Sequence, residues 1–180
     1  MPTNAKTKQK RSEERKTRSS HAIGGSRNFH PSNINALDLL EHDHREVEEL
    51  FDEFDETEKA EEKDELARKI CMELTVHAQI EEEIFYPEAR RATQDNELID
   101  EAMVEHASAK HLIAEIEEME AGDELFDAKV KVLGEQMKRH IMEEEEELFP
   151  ELANAKMNLD AIGERMAKRK AELLKEMQEA

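Results

Sequence analysis

His77 and Glu81 stand four residues apart, and His140 and Glu144 repeat that spacing 63 positions later. The surrounding wording is nearly the same in both places. His77-Ala-Gln-Ile-Glu-Glu-Glu-Ile-Phe-Tyr-Pro-Glu-Ala recurs as His140-Ile-Met-Glu-Glu-Glu-Glu-Glu-Leu-Phe-Pro-Glu-Leu. Upstream, Asp43-His44 precedes His77 by 33 residues and Glu105-His106 precedes His140 by 34. Residues i and i+4 lie one above the other on a helix, so this spacing aims an imidazole nitrogen and a carboxylate at one point. That ligand mix suits iron, manganese or zinc. The candidate ligands are therefore His44, His77, His106 and His140 with Glu81 and Glu144, supplied in two matching halves.

Helices must carry these residues, and the apolar pattern supplies them. A first helix over 35–55 has Leu37, Leu40, His44, Val47, Phe51 and Phe54 in one stripe. A second, over 59–86, turns Leu66, Ile70, Leu74, His77, Ile80, Glu81 and Ile84 inward, and Pro87 marks its end or a kink. The third, over 96–120, buries Ile99, Ala102, Met103, His106, Ala109, Ile113 and Ile116 and stops at Gly122. The fourth, over 124–149, presents Val130, Leu133, Met137, His140, Glu144 and Leu148 and is closed by Pro150. Short connections force antiparallel neighbours, which predicts an all-α, up-down-up-down four-helix bundle with a histidine on each inward face. A further amphipathic C-terminal helix, 159–177, has Leu159, Ile162, Met166, Leu173 and Met177 in its stripe and covers either the bundle or another subunit. The expected division is an arm over 1–32, the bundle over 33–155 and the C-terminal helix over 156–180.

A lone histidine on an apolar stripe is more often a satisfied core residue than a ligand. Here four histidines and two carboxylates share the inward faces, and an unpaired buried carboxylate costs roughly a few kcal/mol or more. A metal pair offsets that cost. Within the run Glu143 to Glu147 most members face solvent, with Glu144 the first candidate ligand and Glu145 the second. His42 falls on the solvent face, His111 is the weakest inner candidate, and His21 and His30 lie in the arm. The metalloprotease pattern His-Glu-x-x-His is absent, and the ferritin-like Glu-x-x-His pattern occurs only at Glu41 to His44.

Composition narrows the function classes. Of 180 residues 37% are apolar and 40% charged, with five Gly and four Pro, which fits long surface helices around one core. Aromatics at 4% disfavour a β-sandwich or a base-stacking platform. A single cysteine, Cys71, excludes an intramolecular disulfide and a cysteine-held cluster, and points to a reducing, cytoplasmic setting. No run reaches the roughly 20 apolar residues of a membrane span. Residues 1–31 hold eight Lys or Arg against two acids, a balance of +6, so the rest carries −26 of the net −20. This polar stretch reads as a disordered basic arm, whose charge suits nucleic acid, anionic lipid or the acidic body of its own protein.

Asp43-His44, His77-x-x-x-Glu81 followed by Phe85-Tyr86-Pro87, Glu105-His106, and His140-x-x-x-Glu144 before Phe149-Pro150 together resemble the hemerythrin-like cation-binding family, over roughly residues 34–152. The resemblance implies two non-haem iron ions, bridged by an oxo or hydroxo group and two carboxylates. Carried over, His44, His77, His106 and His140 are terminal ligands and Glu81 and Glu144 the bridges. Oxygen carriers of that family place a fifth histidine four residues from one on the third helix, where this chain has Lys110 after His106 and Ala102 before it. Each iron is then left an open position, as in the family's sensors, oxidases and iron–sulfur repair proteins. The repair proteins also carry a cysteine-containing N-terminal domain, in place of which this chain has its basic arm. The expected function is a cytoplasmic di-iron protein that binds or reacts with oxygen, peroxide or nitric oxide, in sensing, scavenging or iron buffering. The alternatives are an iron store, donor or repair protein, or a metal-stabilised structural module that meets nucleic acid through the arm. Turnover and oligomeric state stay open at this level.

Overall fold

The computed structural model describes residues 34–93 and 96–179. The arm read over 1–32, with His21 and His30, lies outside the described residues. Helix α1 spans Ala36–Glu56, and its start is fixed by Asn35, whose Oδ1 accepts the Leu37 N–H at 2.9 Å. Helix α2, Ala60–Ile80, runs into a π-helical turn at Glu81–Phe85 and on into α3, Tyr86–Ala92. Helix α4 covers Glu97–Glu117. Helix α5, Phe126–Glu143, likewise passes through a π turn at Glu144–Leu148 into α6, Phe149–Ala153, and α7 covers Leu159–Glu179. Among the described residues all regular structure is helical, and no helix is long and apolar enough to cross a membrane.

Two expectations at the prolines are corrected. Pro87 does not end the second helical run, and Pro150 does not close the fourth, because both runs continue helically to Ala92 and Ala153. A proline in an α-helix removes a donor and presses on the carbonyl four residues back. Here the turn before each proline is widened, with the Tyr86 N–H donating to the Glu81 carbonyl and the Phe149 N–H to the Glu144 carbonyl, five residues back. The extra residue per turn also brings two consecutive side chains inward at each place. Phe85 and Tyr86 are buried, and so are Leu148 and Phe149.

The bundle packs α1 against α2 and α4 against α5, with α2 meeting α4 and α5 meeting α1. Its apolar interior falls into two clusters. One gathers Leu40, Val76, Ile80, Phe85, Ile99, Phe149 and Leu152, and the other Val47, Phe54, Ile70, Leu74, Ile113, Leu133 and Met137. His44 on α1 sits between Leu40 and Val47, so the polar residues form a band between two dry layers. Met103, expected inside, is 39% exposed, and Met177, expected in the last stripe, is 38% exposed near the end of α7. The turn between α4 and α5 takes Gly122 to φ +104, a conformation suited to glycine.

Helix α7 packs on its own chain, against α1, α2 and the first π turn. Ile162, Met166 and Leu173 are its buried residues on the stripe. A Cβ at Gly163 would lie 2.0 Å from the Ile34 carbonyl oxygen, so only glycine permits this approach of α7 to the start of α1.

Candidate metal centre

The six sequence candidates meet in one buried place. His44, His77, Glu81, His106, His140 and Glu144 are each 5% exposed or less. Each glutamate faces one imidazole from its own helical run and one from the other half. Glu81 Oε2 lies 3.2 Å from His77 Nε2 and 3.3 Å from His106 Nε2. Glu144 Oε2 lies 3.2 Å from His44 Nε2 and 3.5 Å from His140 Nε2. The rings pair across helices, His44 with His77 at 4.9 Å between centroids and His106 with His140 at 4.8 Å. Ligand atoms of His44, His77, Glu81 and Glu144 lie within 4.8 Å of one another, and so do those of Glu81, His106 and His140.

These residues fit a bound cation. Both oxygens of Glu81, Oε2 of Glu144 and Nε2 of His44 and His77 are buried without a hydrogen-bond partner. Orphaned buried polar atoms are costly and uncommon, and lone pairs converging on shared points are what bound cations satisfy. The donor set of imidazole and carboxylate matches iron, manganese or zinc, and its lack of thiolate excludes a soft-metal site.

Electrostatics show how tightly the groups depend on one another. Burial raises the Glu81 carboxyl pKa, but His77 and His106 outweigh it and hold it well below the usual range. Burial disfavours a charged His77, yet Glu81 first and Asp43 after it push the imidazole up to about 10. His44 and His140 are raised against the same opposition from burial, His44 by Glu144 and Glu145, His140 by Glu144 and Glu105.

Behind the candidate ligands runs a second tier of carboxylates, of which the sequence reading gave a role only to Glu145, as the second candidate ligand. His44 Nδ1 lies 2.8 Å from Glu145, His106 Nδ1 3.0 Å from Glu82, His140 Nδ1 3.0 Å from Glu105, and His77 Nδ1 3.7 Å from Asp43. The first three are hydrogen bonds, and the fourth is an ion-pair distance. The tier closes into a ring around the bundle. The carboxylate on α1 serves the histidine of α2, the one after α2 serves α4, the one on α4 serves α5, and the one after α5 serves α1. Each carboxylate also has a cation: Arg45 at 2.5 Å on Glu145, Lys110 at 2.6 Å on Glu82, Arg139 at 2.5 Å on Glu105, and Lys170 at 2.8 Å on Asp43. Such outer partners fix which nitrogen faces the metal and orient the ring. A signal existed in the sequence, since each of these acids sits next to a candidate ligand in both halves.

Tyr86 is the other residue without an assigned role. Its hydroxyl donates to Glu144 Oε1 at 2.9 Å and lies 3.5 Å from His106 Nε2. It is 1% exposed, and burial first, then Glu144 and Glu81, raise its pKa well above that of a free phenol. The equivalent position in the second copy is Phe149, which stacks on His44 with rings 5.9 Å apart and 6° from parallel.

The remaining candidates fall outside. Glu145 is 27% exposed and stands behind His44, so Glu144 is the one of the pair that faces the centre. His42 and His111 are exposed and face Glu46 and Glu115 on their own helices. Lys110, at the position of a carrier's fifth histidine, is turned to Glu82.

The Hemerythrin HHE cation binding domain profile matches residues 35–152. A protein named DNA nickase, from Nostoc sp., is 28% identical over 121 residues, which cover 67% of this chain and 34% of the nickase. The chain thus spans about a third of the length of that curated relative. A solved structure of a hemerythrin HHE cation-binding domain-containing protein from Mycobacterium kansasii superposes with a TM-score of 0.66 at 24% identity, over 78% of this chain and 87% of that one. At that identity the likeness speaks for the fold.

Proposed function

This chain belongs to the hemerythrin HHE cation-binding family, and on that premise we propose that it holds two non-haem iron ions and binds or reduces a small oxidant such as oxygen, peroxide or nitric oxide. The observation that carries the reading is the pair of buried carboxylates, Glu81 with both oxygens and Glu144 with Oε2 lacking a hydrogen-bond partner, each flanked by imidazole Nε2 atoms from two helices. His44 and His77 would hold one ion and His106 and His140 the other, with Glu81 and Glu144 between them. When bound, the ions supply electrons and open positions to a small ligand. The chain's own residues do the rest. Glu145, Glu82 and Glu105 hydrogen-bond Nδ1 of His44, His106 and His140, which directs that proton outward and leaves Nε2 as the donor atom, and Asp43 faces His77 Nδ1 at 3.7 Å. Leu148, Phe149, Ile80 and Phe85 exclude water from the band. The Tyr86 hydroxyl, donating to Glu144, is the protic group that faces the centre and can hold or pass on a proton there.

A fifth imidazole does not support a carrier here. Ala102 has no donor, and Lys110 is tied to Glu82 outside the cluster. The reading therefore favours reaction over reversible carriage, in a sensing, scavenging or buffering role in the cytoplasm. Iron analysis of protein from iron-sufficient cells tests it, with about two irons per chain expected. The reduced protein should then oxidise in air and fail to return when oxygen is removed. Zinc, no metal, or many reversible cycles would each overturn it.

The nickase relative supports a second reading, association with nucleic acid. With the remainder at −26, the basic residues of 1–31 are the element that would make the contact. Salt-dependent retention on DNA, lost when 1–31 are deleted, is the expected outcome; retention that survives the deletion removes the arm from the account.

A further inference from the structure

Helix α7 lies beyond the matched residues 35–152, yet it reaches the histidine band. Ile162, Met166 and Leu173 are its buried residues, and Lys170 stands between the last two, one turn from each, where an apolar side chain would continue the stripe. The lysine is 17% exposed, and its ammonium lies 2.8 Å from Asp43, 3.8 Å from Glu46 and 3.8 Å from Glu73. A cation on the inner face of a docking helix is expensive unless its partner needs it. Asp43 is that partner, itself only 8% exposed. Its Oδ1 takes the lysine, and its Oδ2 faces His77 Nδ1 at 3.7 Å, each of those two atoms buried without a hydrogen-bond partner. In the other three links of the ring the cation comes from the bundle itself, from Arg45, Lys110 and Arg139. Only at Asp43 does it come from α7.

We propose that Lys170 is a positioning residue for His77, acting through Asp43, so that the C-terminal helix is part of the cation centre on the His44–His77 side. Arg165 and Arg169 dock the same helix on Glu88 and Glu83, at 2.8 Å each. They separate docking from positioning. Losing Lys170 leaves a buried aspartate without its cation, and frees the Asp43 carboxylate that faces the outer nitrogen of His77 at 3.7 Å to turn away. The second ion, between His106 and His140, keeps its own outer carboxylates.

This inference rests on the two-ion reading, and Co(II) titration followed by the visible absorption of the full chain keeps the two apart. Wild-type protein should bind two Co(II); failure to bind any sinks both ideas. Lys170→Met should weaken one of the two sites by about 10- to 100-fold and leave the other within about twofold. Lys170→Arg should recover most of the loss. Asp43→Asn should reproduce it, and the double variant should be no worse than either single, because both remove one link. Arg169→Gln should leave both affinities unchanged even where it lowers the melting temperature. If Lys170→Met does not fold, as judged by circular dichroism, Lys170→Gln carries the test in the same terms. Two normal sites in the Lys170 variant, an equal fall at both, or the same loss in Arg169→Gln would each overturn the assignment while leaving the two-ion reading standing.

Discussion

The two copies of the motif place the same candidate ligands at the same helical spacing and differ at the residue just before the proline. In the first copy Tyr86 sends a hydroxyl across the centre to Glu144, the bridge candidate of the second copy. In the second copy Phe149 has no such group and stacks instead on His44. A duplicated frame thus presents one protic wall and one dry wall to a site that is otherwise two-fold. On the proposed reading the six candidate ligands set what is held, and this asymmetry sets where a proton can be supplied. The cation tier is asymmetric too. The outer carboxylates Glu82 and Glu145 repeat at the motif spacing, whereas the cations that hold them, Lys110 and Arg45, come from unrelated positions.

The largest expected effect tests the shared part of the frame. His77→Ala and His140→Ala should each remove most bound iron, and Glu81→Gln and Glu144→Gln should be as severe, because an amide cannot supply a bridging charge. His42→Ala and His111→Ala, both on exposed side chains, should leave iron content within error of wild type. Metal analysis reads all six. A severe loss from Glu145→Gln with none from Glu144→Gln would reverse the order of those two residues.

Much of this was legible because helical periodicity and i,i+4 spacing act locally. The four inward histidines, the two glutamates and the solvent-facing His42 follow from rotation about a helix axis alone. The π turns did not follow, since widening at Glu81 and Glu144 depends on packing Phe85, Tyr86, Leu148 and Phe149 against the core, and the rule for a proline in an α-helix misled at Pro87 and Pro150. Lys170 was hidden for a different reason. Its partner is 127 residues away, and a lysine on an apolar stripe reads as a gap until the tertiary contact is seen.

Next in size is the asymmetry itself. Tyr86→Phe makes the first wall resemble the second, and should keep two irons while slowing reaction of the reduced protein with peroxide by about 100-fold, the scale on which a positioned acid contributes. Stopped-flow absorbance measures it. Phe149→Tyr in that background, restoring a hydroxyl on the opposite wall beside His44, should recover only part of the rate because it stands against the other bridge. Full activity in Tyr86→Phe would show that the protic wall is structural.

A smaller effect concerns the metal-free protein. His77 is raised to about 10 from an unfolded value near 6.5, so its charged form favours the folded state. That contribution is fully present below about pH 6.5 and is lost as pH rises through about 10. Thermal melts of metal-free protein should therefore decline across that interval, and the decline should be shallower in His77→Ala. A flat profile in wild type would mean that Glu81 and Asp43 do not hold His77 charged.

The smallest expected effect comes from Lys110→His, which would install the fifth histidine of an oxygen carrier. Residue 110 is one turn from His106, so helix geometry alone favours a new ligand. The side chain there, however, is 44% exposed and points to Glu82, whose carboxylate in turn holds His106 Nδ1 at 3.0 Å. A shorter imidazole meets Glu82 before it can reach the ions, and the inner face beside His106 is already occupied by the Tyr86 hydroxyl at 3.5 Å. The variant should keep two irons and oxidise at close to the wild-type rate, with no lasting oxygen adduct. Combining it with Glu82→Ala and Tyr86→Phe removes both obstacles, and only that triple variant should hold an oxygen adduct for longer than Tyr86→Phe does alone. An adduct in the single variant would show that Glu82 does not restrain position 110.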